Sequence, residues 1–134
     1  MDSRDELAND DGYLDLKRML KALGDVVRLM MISVLDTSGE ITVTDLAELL
    51  AARGRFVSQP LVSWHISQLR RAGFVRTRRV GRQVYCSLDT GRYRHCLHML
   101  GGLAGGPDTT GRPHTPAMSP AISNAAERSE IQTR

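Results

Sequence analysis

Leu14, Leu16, Met19, Leu20 and Leu23 recur at helical spacing and predict a first helix over 13–23. Gly24 breaks it, and Asp25 can cap a second helix over 26–35 with apolar positions Val27, Met30, Met31, Val34 and Leu35. A turn over 36–40 and a short extended piece over 41–43 come next. Thr44 reads as the N-cap of a third helix over 45–52, with Glu48 in its first turns. After a loop over 53–57, Ser58 caps a fourth helix with Pro60 in its first turn, where a missing N–H costs little. That helix runs to about Ala72 and stops at Gly73. The period then changes to two. Val75, Thr77 and Arg79 alternate with Arg76, Arg78 and Val80, Gly81-Arg82 forms a turn, and 83–88 returns with Val84, Cys86 and Leu88 on one side. Asp89 or Thr90 can cap a last helix through about 103, carrying Tyr93, Leu97 and Leu100. The expected class is mainly α with a small β-hairpin (α+β), in the order α-α-α-α-β-β-α: a winged helix-turn-helix.

In that arrangement the helix at 45–52 crosses a DNA backbone and the helix at 58–72 enters the major groove. The second of these is two-faced. Val62, Ile66 and Leu69 cluster on one side with His65 at the edge, while Pro60, Ser63, Trp64, Ser67 and Gln68 lie opposite. Ser58, Gln59, Ser63, Ser67 and Gln68 are compact hydrogen-bonding groups, and a glutamine can donate and accept together on an adenine edge. Arg70 follows on the same helix. Arg76, Arg78, Arg79 and Arg82 on the hairpin suit phosphates or the minor groove. The competing view of those arginines is an edge strand guarded by charge. Trp64 can stack on a sugar or thymine methyl, or pack on the domain. His65 reads as a structural histidine beside the core.

Charge sharpens this picture. The 134 residues carry a net charge of +3, but residues 1–12 hold five acids against Arg4. From Arg53 to Arg94 there are ten arginines and one acid, Asp89. Such a positive block is the footprint of a phosphate-binding surface or, on charge alone, a solvated basic face. The expected organisation is a disordered acidic N-terminus over 1–12, one DNA-binding and dimerisation domain over 13–104, and a disordered Gly/Pro/Ser/Thr-rich tail over 105–134. No run long enough to span a bilayer and no secretion signal is present, and Cys86 and Cys96 make no disulfide framework, so a cytoplasmic protein is expected. An enzyme is not expected: there is no phosphate loop, nucleophile elbow or HExxH motif, and one carboxylate remains between Glu48 and the tail.

The motifs resemble one family. Leu23-Gly24-Asp25-Val26-Val27-Arg28-Leu29 is similar to the "ALGDPTRL" opening of the ArsR-type (ArsR/SmtB) winged-helix repressors. Asp45-Leu46-Ala47 followed by Ser58-Gln59-Pro60-Leu61-Val62-Ser63-Trp64-His65-Ile66 resembles their "SQPTVSHHL" recognition helix. Leu69 to Val75 resembles "LREAGLV", and Gly81 to Leu88 resembles "GRWVYYRL". The likeness covers about 15–100, with a longer loop at 53–57. It implies a homodimer paired through its first and last helices, with Leu14, Leu16, Leu20, Tyr93, Leu97 and Leu100 in the seam. It also implies inverted-repeat double-stranded DNA as partner, with repression until an effector binds.

The family's metal sites can be sought residue by residue. The arsenic-type site needs a Cys-x-Cys pair at the start of the third helix, where this chain has Thr42-Val43-Thr44. The zinc-type site needs Asp-x-His on the last helix, but Asp89 is followed two residues on by Gly91. His95 and His98 share a face of that helix, and a pair from each of two protomers would suit Zn²⁺ or Ni²⁺. The alternative is that they are ordinary polar residues of a dimer helix. No cofactor is otherwise implied. The remaining alternative to a DNA regulator is a winged helix that binds another protein.

Overall fold

Helix α1 (Asp10–Leu23) takes in Asp10, Asp11 and Gly12 ahead of the expected start at Tyr13. The structure, a computed structural model, describes residues 10–104, which fall in one compact unit. The expectations for 1–9 and 105–134 lie outside the described residues. Helix α2 (Val26–Ser38) is capped as expected, Asp25 accepting from the Arg28 N–H at 3.1 Å. It runs past the expected stop at Leu35 and closes at Gly39, whose N–H returns to the Leu35 carbonyl.

The short extended piece proves to be a strand, β1 (Ile41–Thr42). It leads straight into helix α3 (Val43–Ala52). The cap here is Thr42 instead of Thr44: its hydroxyl accepts from the Asp45 N–H at 3.0 Å. Helix α4 (Gln59–Arg71) starts from the Ser58 cap, and Ala72 closes it. Strands β2 (Val75–Val80) and β3 (Gln83–Leu88) make the hairpin, and β1 adds to the far side of β3, giving the sheet order β1-β3-β2. Helix α5 (Thr90–Gly101) starts from the Asp89 cap and ends short of 103.

The core gathers one face of every element. Met19, Met31, Leu46, Leu50, Leu69, Phe74 and Met99 are fully buried, each contributing about 1.5–3 kcal/mol of apolar transfer. Leu16 belongs to this core, only 3% exposed, and not to an outer seam. It lies three residues before Met19 and so shares the inward stripe of α1. Among the described residues no helix is long and apolar enough to cross a membrane.

Candidate nucleic-acid interface

Helix α4 is held by its inner face: Val62, His65, Ile66 and Leu69 are buried, leaving Pro60, Ser63 and Trp64 exposed and Ser67 and Gln68 half-buried. The helix thus offers the uncharged edge that its sequence predicts. Ser58 is spent mainly on local structure, its hydroxyl accepting from the Leu61 N–H at 3.3 Å. Gln59 donates through its amide nitrogen to the Thr44 hydroxyl, which ties the start of α4 to α3.

The pleat of the hairpin sorts its arginines. Directly paired residues share a face, and the pairs Thr77–Cys86 and Arg79–Val84 put Arg79 on the same side as the buried Cys86. Arg79 therefore leans over the edge of the core toward α4. A groove of about 530 Å³ lies between them, with Gln59, Ser63, Ser67 and Arg70 on the helix side and Arg78, Arg79 and Arg82 on the hairpin side. Among the described residues no carboxylate lines it. Among the described residues Arg70, Arg79 and Arg82 make no ion pair, so their charge faces whatever enters.

Arg76 and Arg78 each hold a carboxylate of this chain, and Arg78 also lines the groove. Arg76 sits 3.2 Å from the Asp89 carboxylate. Arg78 makes two 2.8 Å hydrogen bonds to the Glu40 carboxylate and lies 4.7 Å over the Tyr85 ring. The hydrogen bond from Arg78 holds the Glu40 carboxyl below its usual range. Two of the four wing arginines are thus already matched by a carboxylate of their own chain.

Behind α4 lies a small network that sequence reasoning missed. Arg28 donates from Nε to the His65 Nδ1 at 3.0 Å and from Nη1 to the Ala22 carbonyl at 3.0 Å. Its guanidinium carbon stands 5.2 Å above the Trp64 ring, and Trp64 meets His65 edge-on at 5.0 Å between centroids. His65 is the structural histidine expected. Burial pushes its pKa below the ordinary value, and the donated hydrogen bond fixes the proton on Nε2. Trp64 rests on the domain by one face and remains half exposed by the other. Trp64 and Gln68 line a separate groove, against α1 and the start of α2, so the polar residues of α4 divide between two sides.

The last helix is tied to both ends of the domain. Arg92 grips Asp15 of α1 through two hydrogen bonds of 2.7 and 3.1 Å and donates to the Ala72 carbonyl at 2.9 Å. Its side chain lies over Gly73, where a Cβ would come within 2.9 Å of Nε and where φ is +92°. The Arg92 bond holds the Asp15 carboxyl below its usual range. His95 shares that site, Nε2 standing 4.0 Å from Asp15, whereas His98 is exposed a turn further on. Among the described residues no group of three or more His, Cys, Asp or Glu side chains could hold a metal ion. Both cysteines are free and buried; Cys86 packs under the hairpin with its thiol pushed up to about 11 by burial. Of the seam candidates, Leu14, Leu20, Tyr93 and Leu97 are exposed on α1 and α5, joined by Tyr13 on α1 and by Leu103 just after α5, and Leu100 is half-buried.

A three-stranded wing packed behind a capped, polar-faced α4 defines a winged helix-turn-helix. A helix-turn-helix domain model matches residues 23–78. The cadmium resistance transcriptional regulatory protein CadC homolog of Staphylococcus aureus is 33% identical over 76 residues, 57% of this chain and 59% of that protein. The arsenic resistance transcriptional regulator ArsR1 of Pseudomonas putida is 37% identical over 70 residues, 52% of this chain and 51% of that protein. The chain thus spans little more than half the length of these relatives. A crystal structure of an ArsR family transcriptional regulator superposes with a TM-score of 0.56 at 25% identity, covering 65% of this chain and 84% of that one. By motif, sequence and fold the chain is similar to ArsR-type helix-turn-helix regulators.

Proposed function

We propose that this protein is a DNA-binding transcriptional regulator, a repressor that grips an inverted-repeat operator as a homodimer and releases it to an effector. The observation that carries this reading is the groove between α4 and the wing, where Gln59, Ser63, Ser67 and Arg70 of α4 face Arg79 and Arg82 of the wing and, among the described residues, no carboxylate lines the space. Polar side chains on one wall suit base edges, and guanidinium groups on the other suit phosphates. The apolar faces of α1 and α5, with Leu14, Leu20, Tyr93 and Leu97 exposed, support pairing of two copies. The named relatives are cadmium and arsenic resistance regulators, but a soft-metal response at the start of α3 is not part of this proposal. Thr42 and Thr44 stand there, one capping α3 and the other accepting from Gln59.

A salt-titrated gel shift on the DNA upstream of the protein's own operon tests the reading. Binding should weaken with salt by about 0.9 in log–log slope for each phosphate held. Gln59→Ala and Ser63→Ala should lose sequence preference with folding intact, whereas Arg79→Gln and Arg82→Gln should weaken all sequences alike. Binding that ignores salt, or variants at Gln59 and Ser63 that keep full sequence preference, would overturn it.

A further inference from the structure

We infer that α4 is flanked by another phosphate-binding rail, built by Lys21 and Arg71 with Arg18, on the side away from the wing. The inference rests on the DNA reading above and names a contact surface that the wing does not supply. At about 100° per residue, Gln59, Ser63, Ser67 and Arg70 form one stripe of α4, and Trp64, Gln68 and Arg71 form another beside it. The Gln59–Arg70 stripe lines the wing groove. The Trp64–Arg71 stripe lines a groove of about 630 Å³ whose opposite wall is the end of α1 and the start of α2. Four cations surround this α1-side groove, Arg18, Lys21, Arg28 and Arg71, against the one carboxylate of Asp25.

These charges are not equally available. Arg28 is committed to His65, the Ala22 carbonyl and the Trp64 face. Arg18 stays largely exposed but keeps a 3.6 Å contact with Asp15. Lys21 and Arg71 are exposed and make no ion pair among the described residues. Asp25 is turned inward to the Arg28 N–H as the cap of α2. The cations that remain free therefore stand at the rim.

Duplex geometry requires something of this kind. A helix lying in the major groove, about 12 Å wide, has one sugar-phosphate strand on each side. The wing reaches the strand on its own side. On the other side the nearest protein groups are those of the α1-side groove, and Lys21 and Arg71 bring positive charge to the strand that the wing cannot touch. The exposed half of the Trp64 indole lies between that rim and the reading edge. Duplex DNA held on both rails is the partner this surface fits.

The test compares salt slopes on a mixed-sequence duplex, using full-length protein and four variant forms. Relative to wild type, Lys21→Gln/Arg71→Gln should lower the log–log slope by up to about 1.8, which is about 0.9 per phosphate released. Arg79→Gln/Arg82→Gln should lower it similarly, and Lys17→Gln/Arg94→Gln, which removes equal charge elsewhere, should leave it unchanged. Lys21→Arg/Arg71→Lys should restore the wild-type slope. If the wing pair lowers the slope and the Lys21/Arg71 pair behaves like the Lys17/Arg94 pair, the α1-side rail is wrong and the DNA reading survives. If wild type shows no salt-dependent binding to the duplex, both fall. The altered residues are exposed, and matching thermal melts verify that each form is folded.

Discussion

Arg78 and Glu40 meet fork to fork, both nitrogen–oxygen distances being 2.8 Å, and so pin the wing to the residue before β1. In an exposed setting such a pair adds little stability. Its larger effect is on charge. A carboxylate beside the guanidinium cancels the field that a phosphate would feel. Glu40→Gln should therefore tighten DNA binding and steepen the salt slope by about 0.9, while Arg78→Gln should change the slope far less than Arg79→Gln. Fluorescence anisotropy across a salt series measures both, and an unchanged slope in Glu40→Gln would show that Arg78 never reaches a phosphate.

The Asp15–Arg92 pair predicts an acid limb. Arg92 lowers the folded-state pKa of Asp15, whereas the unfolded chain titrates near the ordinary aspartate value of about 3.9. Above that value both states are ionised and the pair contributes fully. As pH falls below it, the unfolded chain takes up the proton first and stability is lost until the folded carboxyl also protonates. The melting temperature should fall as pH drops below about 4, and Asp15→Asn should start lower and fall less steeply. Gly73→Ala, which combines a left-handed φ with a clash against Arg92, should cost about 1–3 kcal/mol in urea unfolding.

Trp64 is the sole tryptophan, which makes α4 visible by fluorescence. Its neighbour His65 is buried, accepts from Arg28 and has a lowered pKa, so protonation would set two cations against each other. Emission should change with a midpoint below pH 6.5, and the step should vanish in His65→Asn. The unfolded chain binds this proton nearer to pH 6.5, so stability is lost as pH falls from there through the folded value. A midpoint at or above 6.5 would mean that the imidazole is solvated.

Local rules made most of this fold legible, and long-range pairing supplied the rest. Asp25, Ser58 and Asp89 are caps whose partners lie three residues on, so sequence spacing is enough to find them. Thr42 is masked by Thr44, because both precede the apolar run of α3 and only the bond to Asp45 decides between them. The polar edge of α4 follows from helical periodicity, and Ser63 and Ser67 stand where it puts them. The wing arginines show where periodicity runs out. Alternation separates Arg76 and Arg78 from Arg79, yet nothing local announces that Glu40 lies against Arg78 from 38 residues away. Arg92 and Asp15, 77 residues apart, carry no sequence signal at all. The α1-side groove beside α4 stayed hidden for the same reason, since Lys21 and Arg71 meet only through the packing of α1 on α4.

Leucines on the outer helices divide into two kinds, and the division predicts opposite phenotypes. Leu16 is 3% exposed and Leu97 is 52% exposed, although both sit on helices expected to pair with a second copy. Leu16→Ala removes buried methyl groups and leaves a cavity, so it should cost about 2–5 kcal/mol whatever the oligomeric state. Leu97→Glu disturbs nothing inside the protomer but places a charge on an apolar face, and an unpaired charge at an interface centre is costly to desolvate. It should convert a dimer to a monomer in sedimentation velocity. Because two linked half-sites bind far more tightly than one, the same variant should also lose most of its affinity for an inverted repeat. A wild-type protein that sediments as a monomer, or a Leu97→Glu form that stays dimeric, would move the seam away from α5.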